Sequence, residues 1–142
     1  MSKIYFFNGW AMDENLLKPL KNSTEYEIKV INFPYNIDKT SIDKGDIFIA
    51  YSFGIYYLNK FLSENQDLVY EKAIGINGLP ETIGKFGINE KMFNMTLETL
   101  DKENLEKFLL NMDIDESFGR SDKTLEEAKY ELQYFKDNYK AI

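Results

Sequence analysis

Two kinds of segment alternate along the first half of the chain. Four short apolar runs stand out: Lys3–Phe7 (KIYFF), Ile28–Phe33 (IKVINF), Asp46–Tyr51 (DIFIAY) and Lys72–Asn77 (KAIGIN). Each is rich in Ile, Phe or Tyr and is closed by Asn-Gly, Pro, Ser-x-Gly or Gly, so each predicts a buried β-strand. Helical spacings lie between them. Asp13 opens one as an N-cap, with Leu16, Leu17 and Leu20 behind it and Pro19 to kink or shorten it. Phe53–Glu64 carries Ile55, Leu58, Phe61 and Leu62 on one helical face. Residues 34–45 hold Asn, Asp, Ser and Gly and read as a connection. Strands that alternate with helices and are apolar on both faces predict a parallel α/β sheet of about four strands.

The pattern changes after Pro80, where only helical stretches follow. Asp101 caps one, with Leu105, Phe108, Leu109 and Met112 on a single face. Ser121-Asp122 or Thr124 opens another, striped by Leu125, Ala128, Leu132, Phe135 and Tyr139. The periodicity of both stripes is that of core packing. Residues 1–78 thus predict an α/β core, and residues 79–139 a helical cap laid over it. Lys140-Ala141-Ile142 resumes the small-and-branched pattern of the earlier strands. These three residues predict the start of a further strand, and hence a chain that lacks its C-terminal strands.

Composition narrows the chemistry. The 142 residues include 24 Asp+Glu against 17 Lys+Arg, a net charge of −7, with 44% hydrophobic and 15% aromatic residues. That is enough apolar material for a packed core in a single domain. Arg120 is the only arginine, so no arginine cluster grips phosphate, and nucleic acid is not an expected partner. The absence of Cys excludes disulfides and thiolate zinc sites, and the absence of His removes the usual general base and commonest metal ligand. No metal or cofactor is expected. Asp113-Ile114-Asp115-Glu116 lacks the central Gly and final Glu of a calcium loop and reads as solvated loop. No apolar run reaches ~18 residues, and the strand pattern starts directly after Met1-Ser2, so neither a membrane span nor a signal peptide is expected. The expectation is a cytoplasmic protein.

The candidate chemistry lies in Ala50-Tyr51-Ser52-Phe53-Gly54, where a strand meets a helix. A nucleophile elbow needs that setting, because a strained turn lifts the serine hydroxyl above the sheet edge. The turn brings together the positions two before and two after the serine. Both must be small, and here they are Ala50 and Gly54. In the alternative reading Ser52 simply caps the helix. An oxyanion hole needs two backbone N–H groups aimed at one point. Phe53, after the serine, would supply one. The loop Asn8-Gly9-Trp10 after the first strand would supply the other near Trp10, Gly9 allowing close approach.

These residues resemble the α/β-hydrolase fold. Phe6-Phe7-Asn8-Gly9-Trp10-Ala11-Met12-Asp13, Ala50-Tyr51-Ser52-Phe53-Gly54 and Ile76-Asn77-Gly78 most resemble the pimeloyl-acyl-carrier-protein methyl ester esterases of biotin synthesis. Leu97-Glu-Thr-Leu and Asn104-Leu-Glu-Lys-Phe extend the likeness into the cap. The resemblance implies a serine carboxylesterase acting on an acyl ester or thioester substrate carried by acyl carrier protein. Ser52 is then the nucleophile, and the Trp10 and Phe53 amides form the oxyanion hole. Arg120 and Asn77 are the candidate substrate- or partner-binding residues.

The family also needs an acid and a histidine from strands beyond the cap, and this chain has no His. Ser-x-x-Lys is absent at the elbow, and Lys60 lies two turns down the helix. The alternative is therefore a non-catalytic or truncated binding module of the same fold. A phosphate-cradling, flavodoxin-like binder fits poorly, since Asn8-Gly9-Trp10-Ala11 has one Gly and a bulky Trp. An acidic carrier protein would need a basic rim, for which Lys85, Lys91, Lys107, Arg120 and Lys123 are candidates; otherwise they are scattered solvated cations. An unpaired sheet edge would invite self-association.

Overall fold

A computed structural model describes residues 2–20, 22–115 and 117–142. Four strands form one sheet: β1 (Lys3–Phe7), β2 (Glu27–Ile31), β3 (Ile47–Tyr51) and β4 (Lys72–Ile76). Their order is β2-β1-β3-β4, and every neighbouring pair is parallel. All four predicted strands are present, so the chain is α/β. Helix α1 (Gly54–Glu64) follows β3 almost directly. Its Ile55 and Leu58 pack with Tyr5, Phe7, Phe48 and Ala50 of the sheet in one buried cluster.

The predicted helix after Asp13 is a 3-10 segment, Glu14–Leu20. Pro19 lies inside it, and proline has no N–H to donate and blocks the carbonyl of the preceding turn. The short, tighter 3-10 form is the result. Asp13 still binds the start of this segment, its Oδ1 accepting from the Asn15 amide at 2.9 Å.

Beyond β4 come α2 (Glu90–Glu98), α3 (Lys102–Asn111) and α4 (Leu125–Asn138). Asp101 caps α3, and Thr124 with Glu127 forms a capping box at α4. Ala128, Leu132 and Phe135 of the predicted stripe are buried, together with Phe93, Leu100, Tyr56, Trp10 and Ala11. This cluster joins the cap helices to α1 and to the loop after β1. Phe108 is the exception in the α3 stripe: it stays 36% exposed, with its ring meeting Trp10 at 5.0 Å.

Lys140–Ile142 carries no strand. The Lys140 amide and carbonyl both lie 3.2 Å from the Tyr56 hydroxyl on α1. β4 is exposed along its whole length, with Ile74 and Ile76 about two-fifths accessible. In the loop predicted as solvated, the Asp115 carboxylate accepts from the Ser117 amide and hydroxyl and from the Phe118 amide; Glu116 lies outside the described residues. No helix among the described residues is long and apolar enough to cross a membrane.

The end of the sheet opposite α1's N-terminus is held by Asp46, which is fully buried. Its carboxylate accepts from the Lys3 and Asp43 amides, each at 2.8 Å, and the Lys3 ammonium lies 3.1 Å away. Burial alone would raise its pKa; the two amides and the ammonium outweigh it and hold the carboxyl below its ordinary value. A depressed folded pKa contributes stability above the ordinary carboxylate range and loses it as pH falls through the folded value. Asp46→Asn should therefore cost about 2 kcal/mol at pH 7. The gap from wild type should narrow below about pH 4, the ordinary carboxylate pKa. Urea unfolding at pH 7 and pH 3 checks this, and an equal gap at both would contradict it.

Candidate functional site

The strand register places three loop starts at one end of the sheet. Phe7 pairs with Ala50, and Tyr51 pairs with Ile76, so β1, β3 and β4 end side by side. From β1 the chain goes to β2 on one side and then returns to β3 on the other. The crevice between the C-terminal ends of β1 and β3 is where open parallel sheets bind ligands. Asn8-Gly9-Trp10 and Ser52-Phe53 are its two walls.

Ser52 stands between the last residue of β3 and the first of α1 with φ +55°, in the left-handed region. A non-glycine residue held there stores about 1 kcal/mol of strain. Its amide donates to the Ile76 carbonyl at 3.0 Å. The hydroxyl makes no hydrogen bond with the described residues, and α1 begins at Gly54, with Phe53 at its N-cap and no side-chain cap hydrogen bond. The helix-capping reading of Ser52 is thereby excluded. Both predicted small positions are sterically required. Ala50 is completely buried, and a Cβ on Gly54 would fall 2.2 Å from the Phe7 carbonyl oxygen and 2.8 Å from that of Asn8.

The facing loop is braced by a residue that the sequence marked only as a turn. Asn8 is fully buried. Its Nδ2 donates to the Asp13 carbonyl and to Asn32 Oδ1, both at 2.9 Å, and its Oδ1 accepts from the Gly9 amide at 3.0 Å. Tyr35 donates its hydroxyl to the Asn8 carbonyl at 2.7 Å. Gly9 then comes so near the serine that an added Cβ would lie 3.4 Å from Ser52 Cβ.

The cap holds the same loop from above. Trp10 is buried and donates its indole N–H to the Ala128 carbonyl at 2.8 Å. Ser121 Oγ donates to the Ala11 carbonyl at 2.6 Å, and the Asp122 amide donates to Asp13 Oδ2 at 2.9 Å. Behind the loop, the buried Glu131 carboxyl is pushed up by burial, against the opposing pull of the Lys123 ammonium 2.7 Å away. The Phe53 ring stacks on Phe135 at 4.7 Å. Among the described residues, neither the Trp10 nor the Phe53 amide N–H donates to a carbonyl or side chain. The Trp10 and Phe53 amides and the Ser52 hydroxyl are thus all without a partner among the described residues.

Ser52 and Phe53 open into a cleft of about 220 Å³, lined also by Asn77, Leu79, Glu81, Thr82 and Ile88. Asn77 lines the cleft and has φ +53° just after β4. Thr82 is 8% exposed, and its hydroxyl has no partner among the described residues. Neither Glu81 nor Thr82 carries a signal in the sequence, since only the fold of the loop brings them to the serine.

Arg120 does not line this cleft. Its guanidinium makes a two-pronged pair with Glu106, one N–H donating at 2.7 Å, and its carbonyl accepts from Asn15 Nδ2 at 2.9 Å. Of the other basic-rim candidates, Lys123 is tied to Glu131 and Lys107 pairs with Glu103 at 3.4 Å, while Lys85 and Lys91 are exposed. Lys60 lines a groove between α1 and α4, away from Ser52.

The clash at Gly54 is with backbone, which cannot move without disturbing β1. Gly54→Ala should destabilise the chain by about 3 kcal/mol. Guanidinium unfolding measures it, and a change under ~0.5 kcal/mol, the usual range for a surface substitution, would contradict the close approach.

Comparison of the chain with known protein families, curated proteins and solved structures gives no match.

Proposed function

We propose that this chain carries the nucleophile and oxyanion half of a serine carboxylesterase site of the α/β-hydrolase type. The observation that carries the reading is the left-handed, uncapped Ser52, with the Trp10 and Phe53 amides unpartnered among the described residues. The order β2-β1-β3-β4 occurs in other doubly wound sheets, so the turn after β3 is the argument and not the order. Ser52 Oγ attacks the ester carbonyl carbon. The oxygen that becomes negative accepts from the Trp10 and Phe53 amides, donors already fixed by the packing of their side chains. The C–O bond to the alcohol breaks, the alcohol leaves with a proton, and water then hydrolyses the acyl-serine. The proton of Ser52 needs a base, and no histidine among the 142 residues can serve as one.

The resemblance in sequence supplies the substrate: a pimeloyl methyl ester carried on acyl carrier protein, with exposed Lys85 and Lys91 of the cap facing an acidic partner. The open outer edge of β4 is the surface for self-association. A second reading, an ester-binding module without turnover, is favoured by the missing histidine.

A fluorophosphonate probe with intact-mass detection should add one adduct to the chain and none to Ser52→Ala. An adduct that persists in the variant would sink the assignment. Ser52→Gly should also unfold later than wild type, by about 0.5–1 kcal/mol, since glycine relieves the left-handed strain. A less stable glycine variant would mean that the serine serves the fold.

A further inference from the structure

We infer that the Ser52 cleft takes uncharged esters and rejects acyl groups bearing a second carboxylate, with Glu81 as the discriminating residue. This rests on Ser52 as the nucleophile. The cleft is small, about 220 Å³. Its walls are Phe53, Leu79 and Ile88 with the neutral polar Asn77 and Thr82, and Glu81 is the only charged residue among those lining it. No lysine or arginine is there to neutralise an anion. Any ligand that fills the cleft therefore lies against the residue that bears this carboxylate, with no cation among the lining residues.

The loop that carries Glu81 is closed on itself. The Ile88 amide donates to the Thr82 carbonyl at 2.7 Å, and the Gly84 amide donates to the Ile88 carbonyl at 3.0 Å. A Cβ on Gly87 would fall 2.2 Å from the Glu81 carbonyl oxygen, so the two ends of this loop touch. The Glu81 backbone is thereby fixed, and its carboxylate lies beside Gly84. Thr82, next in sequence, is neutral, and its hydroxyl is buried without a partner among the described residues. Two like charges ~8 Å apart at an effective dielectric constant of ~30 repel enough for roughly a tenfold preference.

Two arms test this on the whole chain. In the first, amide shifts of Asn77 and Thr82 are followed while methyl pentanoate or monomethyl succinate is added, to wild type and to Glu81→Gln. Wild type should bind the neutral ester roughly tenfold more tightly, and the variant should bind both within about twofold. Equal binding in wild type, no binding of either ester, or a preference that survives in Glu81→Gln, overturns the inference. In the second arm, Ser52 labelling rates are compared for a methyl-ended and a carboxylate-ended fluorophosphonate of equal length. The same ratio and the same loss in Glu81→Gln are expected. Labelling at equal rates overturns the charge selection but leaves the serine reading standing. Absence of labelling by either probe, with selective ester binding intact, overturns the nucleophile and leaves a charge-selective binding cleft.

Discussion

Everything at the site depends on a missing side chain. Helix α1 starts so close to the end of β1 that its first residue, Gly54, touches the Phe7 and Asn8 carbonyls. Only glycine allows this, and the reason is steric and not conformational, because Gly54 has ordinary helical backbone. The approach brings β3's exit turn against β1's exit loop. It leaves Ser52 no relaxed conformation between strand and helix. The strain at Ser52, the exposure of its hydroxyl and the nearness of Gly9 are consequences of one contact.

The second constraint works over distance. The loop Trp10–Asn15 has little regular structure to hold it, and Ala11 takes φ +63°. It is fixed by the chain segment just before and within α4, through Arg120, Ser121, Asp122 and Ala128. Trp10 is anchored by its indole and its ring packing, which leaves its backbone amide free to point elsewhere. The cap thus braces the loop beside the candidate site and shares one apolar cluster with α1. Cutting the chain at residue 78 would expose that cluster and release the loop.

What the sequence made legible was local. Apolar runs of five or six residues closed by turn residues marked all four strands, but not their burial: β4, predicted as buried, is exposed because it is the open edge of the sheet. Ser52 and Gly54 were legible for the same reason, as a steric rule within five residues. Helix α2 was not drawn as an element, since Met92 and Met95 are exposed and only Phe93 among its residues is buried. Arg120 drew notice as the lone arginine, but Glu106, 14 residues earlier, takes it. Glu81 and Thr82 gave no usable signal, Asn8 only that of a turn, and Ser121 only that of a helix opener. Their roles come from partners or neighbours that only the folded chain supplies, in the Ser121–Ala11 contact across 110 residues.

The central claim is that the Trp10 and Phe53 amides converge on the oxygen that becomes charged when Ser52 is acylated. It is tested most directly by solving the structure of the chain phosphonylated by a small fluorophosphonate. The account predicts phosphorus bonded to Ser52 Oγ, with the phosphoryl oxygen about 2.7–3.1 Å from both amide nitrogens. A phosphoryl oxygen turned to solvent, or donors from any other pair of residues, would contradict it.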